Sequence, residues 1–501
     1  MTTEPVKYSY LNRPKAPGIS GMSPVQFLAL VGVVLVAMVL MFVVNFYIGI
    51  AWIAVALLAL APWVIGTFVF DRNPYGVVAR RVRHRAAERQ GLATLAQGPV
   101  GLVSHGGLSL PGLMADSELY EAQDGYGVPF AMIHHAAADH YTVVIEADPD
   151  GVVGLDQEDI DRRAALWGTY LGVLARERDL IGAQVVVETV PDSGLRLQRA
   201  QLSGISPDAP TFAREVIDDL VQSAPVGSAQ VTTTLTLTFD ATKGIEKGTR
   251  DADTMADDIG TRLPGLIAQL RATGAGQTLR ARVATDIIDD ARAAFDPSVA
   301  TAIEQARTEE GGTGLSWDEC GPSAAQATKT YWAHDGAVSM SMMMVEPPRG
   351  VYYSLQLREL LQPSARIARK RVAMLYRPLN PAMSAQLAEW RVTAATADAD
   401  SGRRTGPSER KKAALTAAKE NARAEAEGSP FVRVGMIVTS TVEDVEDLPT
   451  AKATLLNLAG QARLKFRPAW WMQDTAFLAA MPLGIVLPER VALPAALRET
   501  L

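Results

Sequence analysis

Cysteine is almost absent from the chain, because Cys320 is the single cysteine among 501 residues. One thiol cannot form an internal disulfide framework, so the sequence excludes a small secreted scaffold held together by disulfide bonds. This scarcity is typical of proteins kept in a reducing cytosol. We interpret Cys320 as an inert core residue, since free cysteine packs like a small hydrophobic side chain.

The common catalytic motifs are also missing. The chain has no Gly-x-x-x-x-Gly-Lys-Ser/Thr loop, no Gly-x-Gly-x-x-Gly after a strand and no His-Glu-x-x-His. His134, His135 and His140 form the one histidine cluster, but their spacing matches no common zinc pattern. We therefore predict that the chain is not an enzyme, with no catalytic residue, no cofactor site and no metal site.

Charge is absent from one long segment, the 46 consecutive residues 25–70. A bilayer core is roughly 30 Å thick and a helix rises about 1.5 Å per residue, so one span needs about 20 residues. The segment is too long for one helix and divides near residues 45–49, where Asn45 and Gly49 suit a turn. The sequence predicts two transmembrane helices at about residues 25–45 and 50–70.

Positive residues flank this segment on both sides and predict its orientation. Positive residues close to membrane ends tend to remain cytoplasmic, so we expect both termini and the large C-terminal region in the cytoplasm. The expected location is the inner (cell) membrane, as a multi-pass protein with two helices. The arginines that carry the orientation are Arg72, Arg80, Arg81, Arg83 and Arg85.

Net charge is distributed unevenly along the chain. Residues 1–100 carry +6, and the whole chain carries −7, which leaves −13 for residues 101–501. Anionic lipid headgroups attract a basic juxtamembrane segment, so the lipid bilayer is an expected partner. An acidic remainder argues against direct nucleic-acid binding, which uses a basic face.

The remaining 400 residues alternate between strand and helix patterns. Two strand–helix–strand pieces in the first part predict an α+β sandwich of the split ferredoxin-like type. Acidic residues at 156–159 suit the start of a helix, and alternating Leu235, Leu237 and Phe239 predict one buried strand face. The predicted strands lie at residues 141–147, 183–189, 230–239, 337–345, 371–376, 431–441 and 464–468, and the predicted helices at 160–174, 211–222, 254–270 and 447–463.

The predicted fold class is a membrane-anchored α+β protein: a two-helix transmembrane hairpin, then cytoplasmic α/β sandwich domains with a helical arm. An alanine-rich, charged stretch predicts the arm, either as a solvated helical hairpin or as an arm that grips a partner. The predicted parts are a cytoplasmic tail (1–24), the two membrane helices (25–70), a basic juxtamembrane segment and linker (71–112), a first α+β domain (113–335) and a second α+β region (336–501) with the arm at about 383–428.

Two segments carry short motifs that match a known family. The Tyr-Leu-Asn-Arg-Pro sequence at residues 10–14, with Gly18, Ile19, Phe27 and the paired apolar helices, is similar to the small two-helix inner-membrane component of type IV secretion systems. The later region resembles the N-terminal, non-ATPase half of the large secretion ATPase, through the strand at 431–435 and the Met-Pro-Leu-Gly sequence at 481–484. The family has Leu in place of Met481, and its nucleotide-binding domain follows this ending.

A fusion of these two parts without the motor resembles an actinobacterial membrane-protein family from conjugation loci. The resemblance implies a non-enzymatic inner-membrane scaffold of a type IV secretion or conjugative DNA-transfer system. Its implied partners are a separate P-loop motor ATPase and other secretion-channel membrane proteins, with the scaffold itself an oligomer. Trp470 and Trp471 are the predicted partner contacts, because aromatic side chains dominate interface energetics; a core position would explain them equally.

Two alternatives remain open from the sequence. The E component of the type VII secretion membrane complex also pairs two N-terminal helices with an α/β domain. A membrane-bound transferase would need an acidic pair at a strand end, for which Asp148 and Asp150 are the best placed. A simple strand-to-helix turn explains the same two residues.

Overall fold

The computed structural model describes residues 8–9, 24–69, 74–97, 108–192, 210–223, 229–245, 248–348, 351–400 and 408–490. The chain forms two compact units. One unit comprises Asn12–Thr94 with Leu493–Leu501, and the other comprises Met1–Leu11 with Leu95–Ala492. Residues 10–14, 18 and 19, which carry the first resemblance, lie outside the described residues.

The described helices and strands follow one another along the chain as follows. The helices are α1 (Pro24–Val39), α2 (Phe46–Val69), α3 (Pro74–Arg89), α4 (Gln157–Leu174), α5 (Thr211–Ser223), α6 (Ala252–Arg271), α7 (Ala284–Phe295), α8 (Ala300–Glu309), α9 (Arg358–Leu361), α10 (Pro381–Asp400), α11 (Glu409–Ala426), α12 (Leu448–Gln461) and α13 (Gln473–Ala480). The strands are β1 (Tyr8–Ser9), β2 (Thr94–Ala96), β3 (Ser117–Gln123), β4 (Pro129–His135), β5 (His140–Ala147), β6 (Leu180–Pro191), β7 (Ala229–Asp240), β8 (Arg280–Ala281), β9 (Ala324–Ala327), β10 (Trp332–His334), β11 (Ala337–Glu346), β12 (Val351–Tyr352), β13 (Arg369–Pro378), β14 (Val432–Val442) and β15 (Lys465–Pro468).

The smaller unit contains α1, α2 and α3, and it corrects the membrane prediction. Within the part of the chain that the structure describes, no helix has the length and apolar character needed to cross a membrane. α1 has 16 residues before a π-helical segment at Leu40–Val44. At about 1.5 Å per residue it rises roughly 24 Å, short of a bilayer core of roughly 30 Å. The predicted transmembrane hairpin, which needs two spanning helices, is therefore wrong, and so is the two-pass inner-membrane location.

The larger unit is an α+β structure built on one antiparallel sheet of 13 strands. The strand order is β2-β9-β10-β11-β14-β13-β6-β7-β5-β4-β3, while β8 also pairs with β5 and β15 with β11. The sheet corrects the expectation of separate sandwich domains. β6 and β13 pair directly, so the strands of the first and second predicted domains form one continuous sheet. The predicted boundary between residues 335 and 336 falls inside the β9-β10-β11 meander.

The two halves of this sheet repeat the same order of elements. Each half runs through a three-stranded meander, a helix, a strand, a helical insertion, a strand, a helix, a short strand and a further helix, and the first half adds α8 after it. Apart from β2 at one end, the strand order is palindromic about the β6–β13 pair, as a two-fold axis at that point would produce. Within each half, the order β8-β5-β7-β6 or β15-β11-β14-β13 is that of a ferredoxin-like split β-α-β unit.

Helices cover both faces of the sheet. α4 and α6 bury Tyr170 and Leu263 against the first half, on the face to which Leu235, Leu237 and Phe239 point. α9 and α12 cover the second half on a separate core that contains Met340 and Met342. On the other face, α7 and α13 share one core that extends across both halves.

Two further segments matter for the site. Residues 481–486, which follow α13, cross the first half of the sheet, and we call them the C-terminal strap. The Gln184 amide on β6 donates hydrogen bonds to the carbonyls of Ala479 and Met481, at 3.0 and 3.1 Å. The predicted arm is the helical insertion of the second half, in which α10 and α11 pack against each other. Residues 401–407 of the arm lie outside the described part.

Candidate partner-binding site

Trp470 and Trp471 lie in a four-residue loop between β15 and α13, residues 469–472, which we call the tryptophan loop. Both ends of the loop are held by one residue of β11. The Ala469 amide donates to the Ser341 carbonyl at 3.0 Å. The Ser341 amide donates to Oε1 of the buried Gln473 at 2.7 Å. A chain held at both ends over so few residues must turn sharply, and the turn places both tryptophans beside β11.

The backbone of Trp471 is conformationally strained at this turn. Its φ of +58° is the left-handed conformation, which a bulky side chain rarely adopts. The Trp471 amide donates to the Lys329 carbonyl at 3.0 Å, in the turn between β9 and β10. The Lys329 ammonium lies 5.2 Å from the centroid of the Trp471 ring, within the range of a cation–π contact. Backbone strain of this kind persists where surrounding contacts hold it, and it is common at binding sites.

Both tryptophans are half-buried. A large aromatic surface with a fixed backbone and a nearby ammonium group suits recognition of another surface, since little side-chain entropy is lost on binding. The prediction that these two residues contact a partner stays a prediction. The structure places them side by side on one loop.

The arginines predicted to set a membrane orientation are concentrated on one helix. Arg80, Arg81, Arg83 and Arg85 lie on α3 in the smaller unit. Arg72 lies outside the described residues.

The three clustered histidines do not converge on one point. His134 stacks on Tyr141, with ring centroids 4.3 Å apart, and its Nδ1 lies 3.5 Å from the Glu118 carboxylate. His135 points to the opposite face of the sheet, because successive strand residues alternate, and it pairs across the strands with His140. Among the described residues, no group of three or more His, Cys, Asp or Glu side chains is arranged to hold a metal ion.

His135 has a structural counterpart in the second half, His334. Each histidine ends the second strand of its meander, and each contacts the carbonyl of a residue near the end of a helix from the other half. His135 Nε2 donates to the Leu483 carbonyl of the C-terminal strap at 2.9 Å. His334 Nδ1 donates to the Phe295 carbonyl at the end of α7 at 2.5 Å. The two imidazoles therefore fasten the two halves reciprocally.

Burial keeps both of these imidazoles neutral. Desolvation lowers the pKa of His135 to about 3, and the nearby Arg490 guanidinium adds to the shift. Desolvation also lowers the pKa of His334 to about 4, although the hydrogen bond to Phe295 opposes the shift. His334 Nε2 accepts from the Ser339 hydroxyl at 2.8 Å, whereas the buried His135 Nδ1 has no hydrogen-bond partner among the described residues. A second proton on either ring would therefore be poorly accommodated.

The acidic pair proposed for a transferase lies on an exposed turn. Asp148 and Asp150 follow β5 and are both exposed. The Asp150 carboxylate pairs with Arg163 at 3.2 Å, which is a surface ion pair near the start of α4.

A buried lysine in the sheet was not anticipated from the sequence. Lys370 lies on β13 between Thr189 of β6 and Ser440 of β14, and its side chain is almost fully buried. Its ammonium donates to the carbonyl of Gln362, and no carboxylate pairs with it among the described residues. Burial without a counter-charge lowers the pKa of Lys370 to about 8.

Lys370→Met is expected to remove a pH dependence of stability. Because the folded-state pKa lies below the unfolded value of about 10.4, wild-type stability should rise by about 2 kcal/mol from pH 8 to pH 10. The variant should lack this rise and gain stability at pH 7, where the wild type buries an ammonium. Urea unfolding of both proteins at pH 7, 8, 9 and 10 measures the difference. Parallel stability curves for the two proteins would contradict the assignment.

Sequence reasoning missed the residues that shape the site. Lys329 is far from Trp471 along the chain, and nothing in the sequence marks Gln473 as part of a site. Only the pairing of β11 with β15 brings both residues to the tryptophan loop. The signal that was available is Asp335-Gly336, a two-residue hairpin sequence that places β10 beside β11 and therefore the Lys329 turn near the loop.

Fold and site together define a class: a two-unit α+β protein whose larger unit is an internally duplicated antiparallel sheet with an aromatic loop tethered to β11. Comparison with protein-family models gave no match, and no curated protein matches the chain.

Proposed function

We propose that the chain is a non-enzymatic scaffold of a type IV secretion or conjugative transfer system that holds a separate motor ATPase. The support is the resemblance at residues 431–435 and 481–484, and the observation that carries the proposal is the tryptophan loop. The loop lies inside the resembling region, between the strand at its start and the strap at its end. In the resembling ATPases the nucleotide-binding domain follows this ending, so a separate motor would dock near it.

The geometry supports a docking role for the loop in three ways. Its ends are fixed by Ser341 and Gln473, so the aromatic rings are positioned before a partner arrives. Preorganisation lowers the entropy lost on binding. The α13 helix connects the loop directly to the strap, so a partner bound at the tryptophans would also be anchored to the body of the sheet.

Replacing both tryptophans with alanine is expected to weaken motor binding by about tenfold or more, since buried tryptophans are frequent interface hot spots. The tagged full chain would be purified from its native cells under mild conditions, with recovered proteins identified by mass spectrometry. Binding of the recovered P-loop ATPase would then be titrated against the wild type and the Trp470→Ala/Trp471→Ala variant. Tyr126→Ala removes an exposed aromatic from the β3–β4 turn and serves as the matched control.

The possible recoveries separate the candidate functions. A P-loop ATPase with conjugation-channel proteins, lost in the tryptophan variant and kept in the control, would support the proposal. Recovery of type VII components would favour the E-component alternative. Recovery of neither set of secretion proteins, together with catalytic turnover of a small molecule in the eluate, would contradict the scaffold proposal and favour a transferase.

A further inference from the structure

The helical insertion of the first half exposes an apolar stripe. On α5, Phe212 is 76 % exposed and Val216 is 41 % exposed. They are four residues apart and therefore lie on the same side of the helix. Glu215 and Asp219 flank this stripe, are exposed and pair with no described residue. The stripe is therefore apolar at its centre and acidic at its border.

The equivalent insertion of the second half is covered. There α10 and α11 pack against each other, and Ala388, Ala399 and Ala417 are buried. α5 occupies the corresponding place between β6 and β7, yet Phe212 and Val216 remain exposed. An exposed phenylalanine beside a valine on an amphipathic helix is typical of a surface that binds another helix.

α3 in the smaller unit has the complementary surface. Val78 is 57 % exposed and Val82 is 59 % exposed, again at a spacing of four residues. Arg81, Arg83 and Arg85 are exposed around them and form no ion pair with a described residue. This stripe is apolar at its centre and basic at its border, the opposite in charge of the stripe on α5.

We propose that α3 of one copy of this chain docks on α5 of a second copy. The valines of α3 would pack against Phe212 and Val216, and the arginines would face Glu215 and Asp219. Opposite charges at the border give the contact its orientation and specificity, and the apolar centre supplies most of the affinity. A second copy is favoured over an anionic lipid surface because the chain carries both halves of the contact, and lipid headgroups would repel the acidic border of α5.

The proposed contact joins two different surfaces, so each bound copy still offers one free α3 and one free α5. Such a heterologous contact extends into a closed ring if the rotation between copies closes, and into a filament if it does not. This inference does not depend on the proposed role in secretion.

Reversing charge on either helix tests the contact. In the full chain, Arg81→Glu/Arg85→Glu and Glu215→Arg/Asp219→Arg should each weaken self-association by about tenfold or more, measured by sedimentation velocity. An equimolar mixture of the two variants should associate like the wild type, because each reversed helix then meets a reversed partner. The two variants thus control for each other's folding.

Cysteine cross-linking identifies the helices involved. The natural Cys320 is buried, and burial raises its pKa to about 12, so it contributes no reactive thiol. A mixture of Phe212→Cys and Val82→Cys chains should form disulfide-linked dimers under mild oxidation, whereas Tyr126→Cys replacing Phe212→Cys should not. Self-association unchanged by both charge reversals would overturn the proposal. A Phe212→Cys/Val82→Cys double variant whose disulfide forms only within one chain would also overturn the proposal. Binding of the monomer to anionic vesicles, abolished by Arg81→Glu/Arg85→Glu, would assign α3 to lipid instead.

Discussion

Acidification from pH 7 to pH 5 is expected to lower the free energy of unfolding by about 4 kcal/mol through His135 and His334 alone. Each histidine has a folded-state pKa below the unfolded value of about 6.5. The folded state therefore binds these protons more weakly than the unfolded state does. The stability that each group contributes is fully present above about pH 6.5 and is lost as the pH falls toward the folded pKa.

Two variants separate the contributions of the two histidines. In His135→Gln the side-chain amide replaces the Nε2 donor to Leu483, and in His334→Asn it replaces the Nδ1 donor to Phe295. Each variant should lose about half of the pH dependence, and the double variant should lose nearly all of it. Ile133→Val, a change in the adjacent core, should lower stability equally at both pH values. Urea unfolding at pH 7 and pH 5 measures the wild type and all four variants.

The result would also test the reciprocal arrangement of the halves. Both histidines contact carbonyls from the other half, so their protonation should loosen the two contacts together. A wild-type protein whose stability is the same at pH 5 and pH 7 would show that neither imidazole is held neutral in the folded state.

Local patterns in the sequence predicted most of the individual elements. The predicted strands at 141–147 and 230–239 are β5 and β7, and the helix at 160–174 is α4, which begins where the acids suggested. Asp156 caps that helix by accepting from the Asp159 amide at 2.8 Å. Such signals depend on neighbours along the chain, which the sequence displays directly.

Contacts between distant residues were not predictable in the same way. The pairing of β6 with β13 brings residues 183–189 against 370–376, and no periodicity within either strand specifies which strand it meets. The duplication was missed for the same reason, since its halves share an order of elements rather than an obvious sequence repeat. Apolar composition was also misleading for α1, whose α-helical part ends at Val39.

The C-terminal strap offers the second large effect, at Gly484. This residue has a φ of +72°, and its carbonyl accepts from the Thr238 hydroxyl at 3.0 Å. A Cβ atom at this position would lie 2.2 Å from Thr142 Oγ1 and 2.6 Å from Thr238 Oγ1. Neither threonine is free to move away, because both are buried on neighbouring strands and their hydroxyls bond to each other at 3.0 Å.

Gly484→Ala is therefore expected to cost about 3 kcal/mol or more in the free energy of unfolding. Left-handed backbone costs alanine about 1 kcal/mol, and overpacking a buried contact adds about 1–3 kcal/mol. Gly154→Ala is the matched control, since Gly154 has a φ of +81° and no atom within 4 Å of its would-be Cβ. The difference between the two variants in urea unfolding isolates the steric cost of the strap contact.

The same pair of variants tests whether the strap fastens the tryptophan loop to the sheet. α13 connects Gly484 to the loop, so a displaced strap should also change the environment of Trp470 and Trp471. We expect Gly484→Ala, at a denaturant concentration where it remains folded, to shift tryptophan fluorescence and weaken the proposed motor binding. Gly154→Ala should do neither. Equal costs for the two variants would mean that the strap yields easily, and the loop would then be positioned by Ser341 and Gln473 alone.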